Sequence, residues 1–185
     1  ILPWAIQHRL ARLIGNTAFK SLKSRRETTV RNFEVCFPEW SAEQIQDNAR
    51  LVFVDQMLGV FETLNAWYSP KWFKGRVSID GLEHLQKAQA EGRGALLLGT
   101  HSTLLDAGGY ACAQFFDLDV VYRPQNNPLL DMLIYRCRAT IYTHQIDHDD
   151  MRGLIRHLKN GRAIWYSPDQ DYGLKQGVMA PFLGT

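Results

Sequence analysis

Hydrophobic positions recur every three to four residues through the first third of the chain, then give way to short apolar runs separated by polar turns. Residues 4–22 and 24–35 read as helices, the second stopping at Phe37-Pro38, because the residue before a proline is pushed out of the helical region. Ser41 with Gln44 has the form of a capping box. It predicts a third helix running to about Trp67, with Leu51, Val54, Leu58 and Phe61 on one face. After Pro70 the period changes. Candidate strands cover 76–80, 94–99, 118–122, 139–143 and 163–167, and helices fit at 82–91, 103–115, 128–137 and 150–159, with Gly161 as a C-cap. Strands alternating with helices of this length predict an α/β fold: a mixed, mostly parallel sheet flanked by helices and preceded by an α-helical N-terminal segment. We expect one domain over 1–185, with a helical part at 1–70 and an α/β part at 71–185 that lacks its C-terminal portion.

In open parallel sheets the ligand crevice lies beyond the carboxyl ends of the strands. Three polar clusters fall there: His101 to Asp106, Tyr122 to Pro128, and Ser167 to Gly173. His101 and Asp106 carry the clearest chemistry. A carboxylate five residues after a histidine can fold back across a first helical turn, accept the imidazole N–H and leave the other ring nitrogen as a base. No Gly-x-Ser-x-Gly elbow is present and no cysteine lies near His101 in sequence. The pair therefore suits deprotonation of a substrate hydroxyl, without an enzyme nucleophile. The planar fork of Arg123 suits a phosphate or a developing oxyanion; pairing with Asp131 or Asp169 is the structural alternative. Asn126 and Asn127 would place amides on the same rim, although a turn before Pro128 accounts for them nearly as well. In the third cluster, Asp169, Gln170 and Asp171 could hold Arg123 or bind sugar hydroxyls, with Asp169 the favoured member and Lys175 a further phosphate contact. A plain polar turn ending at Gly173 is the rival reading.

Net charge changes the picture less than its placement. The chain is only +2 overall. Residues 1–31, however, carry Arg9, Arg12, Lys20, Lys23, Arg25, Arg26 and Arg31 against Glu27 alone, interleaved with Leu2, Trp4, Ile6, Leu10, Leu13, Ile14, Phe19 and Leu22. Such a segment suits an anionic membrane surface; an amphipathic helix packed on its own domain suits the composition equally. Nucleic acid is disfavoured, since the aromatics are not interleaved with base-reading polar groups. No apolar run reaches the length that spans a bilayer. The chain starts at Ile1 and stops abruptly at Phe182-Leu-Gly-Thr185, so both ends read as cut and an upstream anchor stays open. Cys36, Cys112 and Cys137 are widely spaced and read as reduced thiols. His144 and His148, near Asp147, Asp149 and Asp150, hint at a metal, but their polar loop is the simpler reading, and no metal is expected.

Four ordered motifs then carry a resemblance. They are Arg31-Asn-Phe-Glu-Val-Cys-Phe-Pro-Glu39, His-x-x-x-x-Asp at 101–106, Tyr122-Arg-Pro-Gln-Asn-Asn-Pro-Leu-Leu-Asp131, and Trp165-Tyr-Ser-Pro-Asp-Gln-Asp-Tyr-Gly173. In this order and spacing they resemble the lauroyl-type lipid A biosynthesis acyltransferases of the glycerolipid acyltransferase-like superfamily, over a stretch from about Arg25 to Thr185. The resemblance implies transfer of a fatty acyl chain from acyl-[acyl carrier protein] to a hydroxyl of a Kdo-bearing lipid A precursor. It implies a site at the cytoplasmic face of a Gram-negative inner membrane and no cofactor, because the thioester is already activated. His101 would be the base and Asp106 its partner, with Arg123 binding substrate. Ser102 and Thr103 stand where many relatives carry an aromatic, and Asp106 where many carry glutamate. Another glycerolipid or glycolipid O-acyltransferase, a thioesterase, and a non-catalytic lipid-binding protein are the rival readings.

Overall fold

The computed structural model describes residues 2–73, 75–170, 177–178, 180–181 and 183. The chain forms two compact units, one built on residues 1–62 and one on residues 63–170.

The first unit is helical. It holds α1 (Trp4–Ser21), α2 (Lys23–Cys36) and most of α3 (Ala42–Tyr68). The predicted capping box forms: the Gln44 backbone N–H donates to Ser41 Oγ at 3.2 Å and the Ser41 N–H donates to Gln44 Oε1 at 2.8 Å. Two of the orphan donors that open α3 are satisfied in this way. Helices α1 and α3 meet through small residues, with Ala11 and Ala49 fully buried. A Cβ added at Gly15 would stand 2.6 Å from Val54 Cα, so only glycine permits this approach. Phe19 packs edge-on against Phe53 with ring centroids 5.4 Å apart. No helix among the described residues is long and apolar enough to cross a membrane.

The second unit is the α/β layer. After a 3₁₀ turn at Pro70–Phe73 come α4 (Leu82–Ala90), β1 (Ala95–Leu98), α5 (Leu105–Ala113) and β2 (Leu118–Tyr122). These lead into α6 (Pro128–Arg138), β3 (Gln145–Asp147), α7 (Met151–Lys159) and β4 (Ala163–Tyr166). The described strands are all parallel, in the order β1-β4-β2-β3. Side chains alternate between the faces as a period of two requires. Leu118, Val120 and Ala163 join Leu85 and Tyr142 on one side. Ile146 and Ile164 join Leu154 of α7 on the other. Asn160 ends α7, and Gly161 follows it at φ +76°, the left-handed position a helix terminus favours in glycine.

Two predicted strands do not form. Residues 76–80 form no strand of the described sheet: the Arg76 N–H closes a turn onto Phe73 O at 3.0 Å, and Val77 packs beside Phe73, Ala66 and Ala107. Residues 139–143 close the end of α6 as turns, the N–H groups of Ile141 and Tyr142 both donating to Arg138 O at 2.9 Å. Pairing with β2 begins only at Thr143, whose N–H donates to Leu118 O at 2.9 Å. The β-branched residues there favour a strand, but the carbonyls left open at the helix end capture the chain first.

At the amino ends of β2 and β4 a fully buried Asp119 acts as a clamp. Arg162 donates to both of its oxygens, at 2.7 and 3.1 Å, and the Nδ1 atoms of His144 and His157 approach at 3.0 and 2.7 Å. Burial alone would raise this carboxyl, but Arg162, His144 and His157 together hold it below the usual carboxylate range.

Candidate active site

Strand order decides the site. β1 and β4 are neighbours, with Leu98 opposite Tyr166. His101 lies three residues beyond the first and Asp169 three residues beyond the second, so parallel pairing carries the two loops out side by side. The Asp169 carboxylate takes both of its near partners from His101: the backbone N–H at 2.7 Å to Oδ2 and the ring Nδ1 at 2.7 Å to Oδ1. Partial burial pushes Asp169 up, yet the two bonds from His101 outweigh it and keep the carboxyl below its ordinary range. An ionised carboxylate only accepts, so Nδ1 carries a proton, and in the neutral form of the ring Nε2 is the nitrogen with the lone pair. Both side chains are about one-third exposed, open to a substrate.

The expected bond between His101 and Asp106 is absent. Asp106 sits in the first turn of α5 and receives Arg138 Nε at 2.7 Å, both side chains being largely buried. Burial works against the Arg138 charge, but Asp106 outweighs it and holds the guanidinium above its ordinary value. The His101 loop explains the difference. α5 starts only at Leu105, after turns in which the Ser102 N–H donates to Thr100 O and the Leu105 N–H to Ser102 O. The imidazole is therefore not on the helical turn that carries Asp106.

Arg138 also lies over the Tyr122 ring, 5.5 Å from its centroid. The Tyr122 hydroxyl donates to Asp131, and burial first, then this carboxylate, pushes it up to about 12. Asp131 also accepts the Gln125 N–H at 2.7 Å, fastening the loop that carries Arg123. Neither structural partner suggested for Arg123 takes it: Asp131 serves Tyr122 and Gln125, and Asp169 serves His101. Arg123 is exposed at the tip of β2, beside β4 in the sheet. Asn126 is exposed on the same loop. Asn127 caps α6, accepting the N–H groups of Leu129 and Leu130 at 3.0 and 3.2 Å, with Pro128 in the first turn. Lys175 and Asp171 lie outside the described residues.

Gly99 completes the framework. A Cβ there would stand 2.2 Å from Trp165 Nε1, so the β1 tip can lie against that indole only without a side chain. The indole N–H donates to Ser167 Oγ at 3.2 Å, a bond within the carboxyl end of β4 that fixes the ring on which Gly99 rests.

Two clusters among the described residues have metal-ligand spacing: Asp119 with His144 and His157, and Asp147 with His148 and Asp149. In the first, Arg162 already occupies the carboxylate with a positive charge; the second lies on a polar loop before α7. A cleft of about 350 Å³ runs along β3, lined by Tyr135, Tyr142, His144, Gln145 and His157, and does not include His101 or Asp169. Sequence reasoning missed two features, the partner of His101 and Arg138. For Asp169 a signal existed, its position three residues past a strand matching that of His101; for Arg138 none did.

Comparison with known proteins gives one family. The profile of bacterial lipid A biosynthesis acyltransferases matches residues 1–185. The chain is 35% identical to the lipid A biosynthesis lauroyltransferase of Escherichia coli over all of its own length and 60% of that protein. It is 34% identical to the E. coli palmitoleoyltransferase over the same shares. A Haemophilus influenzae lipid A biosynthesis acyltransferase is 34% identical over 84% of this chain and half of its own length. The chain thus spans about three-fifths of the length of its E. coli relatives. With those matches over its whole length and a histidine–carboxylate pair at the carboxyl end of a parallel sheet, this chain belongs to the bacterial lipid A biosynthesis acyltransferase family.

Proposed function

We propose that the intact protein moves a fatty acyl chain from acyl-[acyl carrier protein] to a hydroxyl of a Kdo-bearing lipid A precursor, at the cytoplasmic face of the inner membrane. The observation that carries this reading is the partly exposed His101–Asp169 pair, held through Nδ1, in a chain of this family. His101 Nε2 takes the acceptor hydroxyl's proton as that oxygen attacks the thioester carbonyl. The tetrahedral intermediate collapses, the C–S bond breaks, and the imidazolium returns the proton to the departing thiolate of the carrier. Asp169 orients the ring and stabilises the imidazolium, the part first expected of Asp106. Asp106 supports the site from outside it, holding Arg138. General-base help of this kind is worth about 10²–10⁴-fold.

Arg123, exposed at the rim and bonded to neither Asp131 nor Asp169, grips a phosphate of the lipid or of the carrier's phosphopantetheine, with the exposed Asn126 on the same loop. On α1, Ile6, Leu13 and Ile14 are exposed near Arg9, Arg12 and Lys20, which supports contact with an anionic membrane. The acidic carrier approaches a basic rim. The reading is tested by replacing His101 with Ala in the intact protein and assaying acyl transfer. A loss of about 10²–10⁴-fold is expected; undiminished turnover refutes the base.

A further inference from the structure

α6 is built inside out. Two of its three charged residues face the protein: Asp131 reaches Tyr122 and the Gln125 N–H, and Arg138 reaches Asp106, while Cys137 is buried against Tyr68. Its large apolar residues face outward. Leu129 is 71% exposed, and Leu130, Met132, Leu133 and Tyr135 are all exposed. Single exposed leucines are ordinary on a soluble surface; five large apolar side chains on one three-turn helix are not. A chain folding for water alone would put Asp131 and Arg138 outside and the leucines inside.

Position gives the feature its meaning. α6 starts directly after the Arg123 loop, at the end of the sheet where His101 and Asp169 lie. Leu98 and Leu104, on either side of His101 in sequence, are exposed as well. Charge selects the occupant. The one carboxylate on α6, Asp131, is turned inward, whereas Arg136 on α6 and Arg123 before it are exposed. An outward surface of leucines and methionine edged by cations, with no exposed carboxylate on the helix, matches an anionic lipid monolayer. An acidic protein would match the arginines but would leave most of the leucines uncovered or misplaced.

Resting on the membrane-lipid acceptor proposed above, we propose that the outer face of α6 is a bilayer-docking surface. Leu129, Leu130, Met132 and Leu133 enter the acyl-chain boundary, and Arg136 sits at headgroup level. The catalytic end of the sheet is then held against the interface, so a lipid acceptor need not leave the membrane to reach His101.

The test uses full-length protein with a photo-crosslinking amino acid at Leu129 or Leu133, and at the exposed Lys87 of α4 as a control. Samples are irradiated on vesicles of phosphatidylcholine with phosphatidylglycerol. Lipid adducts are expected at 129 and 133 and not at 87, and unchanged when His101→Ala is also present, since labelling needs no turnover. A failure of the acyl-transfer reading is therefore seen separately. Absence of lipid adducts at 129 and 133, equal labelling at 87, or adducts only with added acyl carrier protein would each overturn the proposal. In a second arm, the Leu129→Ser/Leu133→Ser variant is expected to lose vesicle affinity by about tenfold or more. Unchanged affinity together with unlabelled 129 and 133 overturns it as firmly.

Discussion

His101 meets Asp169 through two hydrogen bonds, one from its backbone and one from its ring, while Asp106 is occupied by Arg138. The two aspartates should therefore answer differently to the same change. Asp169→Asn leaves the framework in place but replaces an obligate acceptor with an amide that can donate to Nδ1, which favours the wrong tautomer. We predict a fall in turnover of about 10²–10⁴-fold with little change in melting temperature. Asp106→Asn leaves Arg138 largely buried without a full counter-charge, and is predicted to lower stability by roughly 3 kcal/mol. Parallel thermal melts and acyl-transfer assays of the two variants separate them. If Asp106→Asn cut turnover more deeply than Asp169→Asn at unchanged stability, the assignment of the histidine's partner would be reversed.

At the scale of elements, caps and breaks were legible and pairings were not. The helices beginning at Trp4, Lys23, Ala42, Leu82, Pro128 and Met151 lie within a residue or two of where periodicity, the Ser41–Gln44 box and Pro128 put them. These are local signals, decided within one helical turn. The segments 76–80 and 139–143 have strand composition, yet a strand exists only where the tertiary fold lays the segment along a partner, and neither becomes a strand of the described sheet. Asn127 illustrates the same distinction. It could have been read as a ligand, but its side chain accepts from two backbone N–H groups of α6. Asn127→Ala is expected to cost about 1 kcal/mol in urea unfolding. An unaltered midpoint with impaired substrate binding would make Asn127 a substrate contact after all.

For the α/β unit as a whole, stability and site are arranged at opposite ends of the sheet. At the amino ends, Asp119 gathers Arg162, His144 and His157 from three segments distant in sequence. Its carboxyl is held below the ordinary range in the folded state. The unfolded chain therefore binds a proton at higher pH than the folded one. The contribution is complete above the usual carboxylate range and is lost as pH falls through the depressed folded value. Asp119→Ala is predicted to cost roughly 3 kcal/mol at neutral pH, and the gap from the parent should narrow as the medium is acidified through that range. Denaturant midpoints between neutral and acid pH measure it, and a gap that stayed constant would remove Asp119 as the clamp.

What the chain determined on its own were features that near neighbours in sequence decide. These are the helices with their caps, the strand runs at 94–99, 118–122 and 163–167, the switch to an α/β pattern after Pro70, and the placing of His101, Arg123 and Asp169 just past strand ends. Only the tertiary structure decided who stands beside whom. The order β1-β4-β2-β3 brings residues 101 and 169 together across 68 positions, because parallel strands in register carry their following loops out in step. Sequence separation is silent about that order. The five-residue spacing of His101 and Asp106 suggested a local pair, and the loop before α5 and the charge of Arg138 outweighed it.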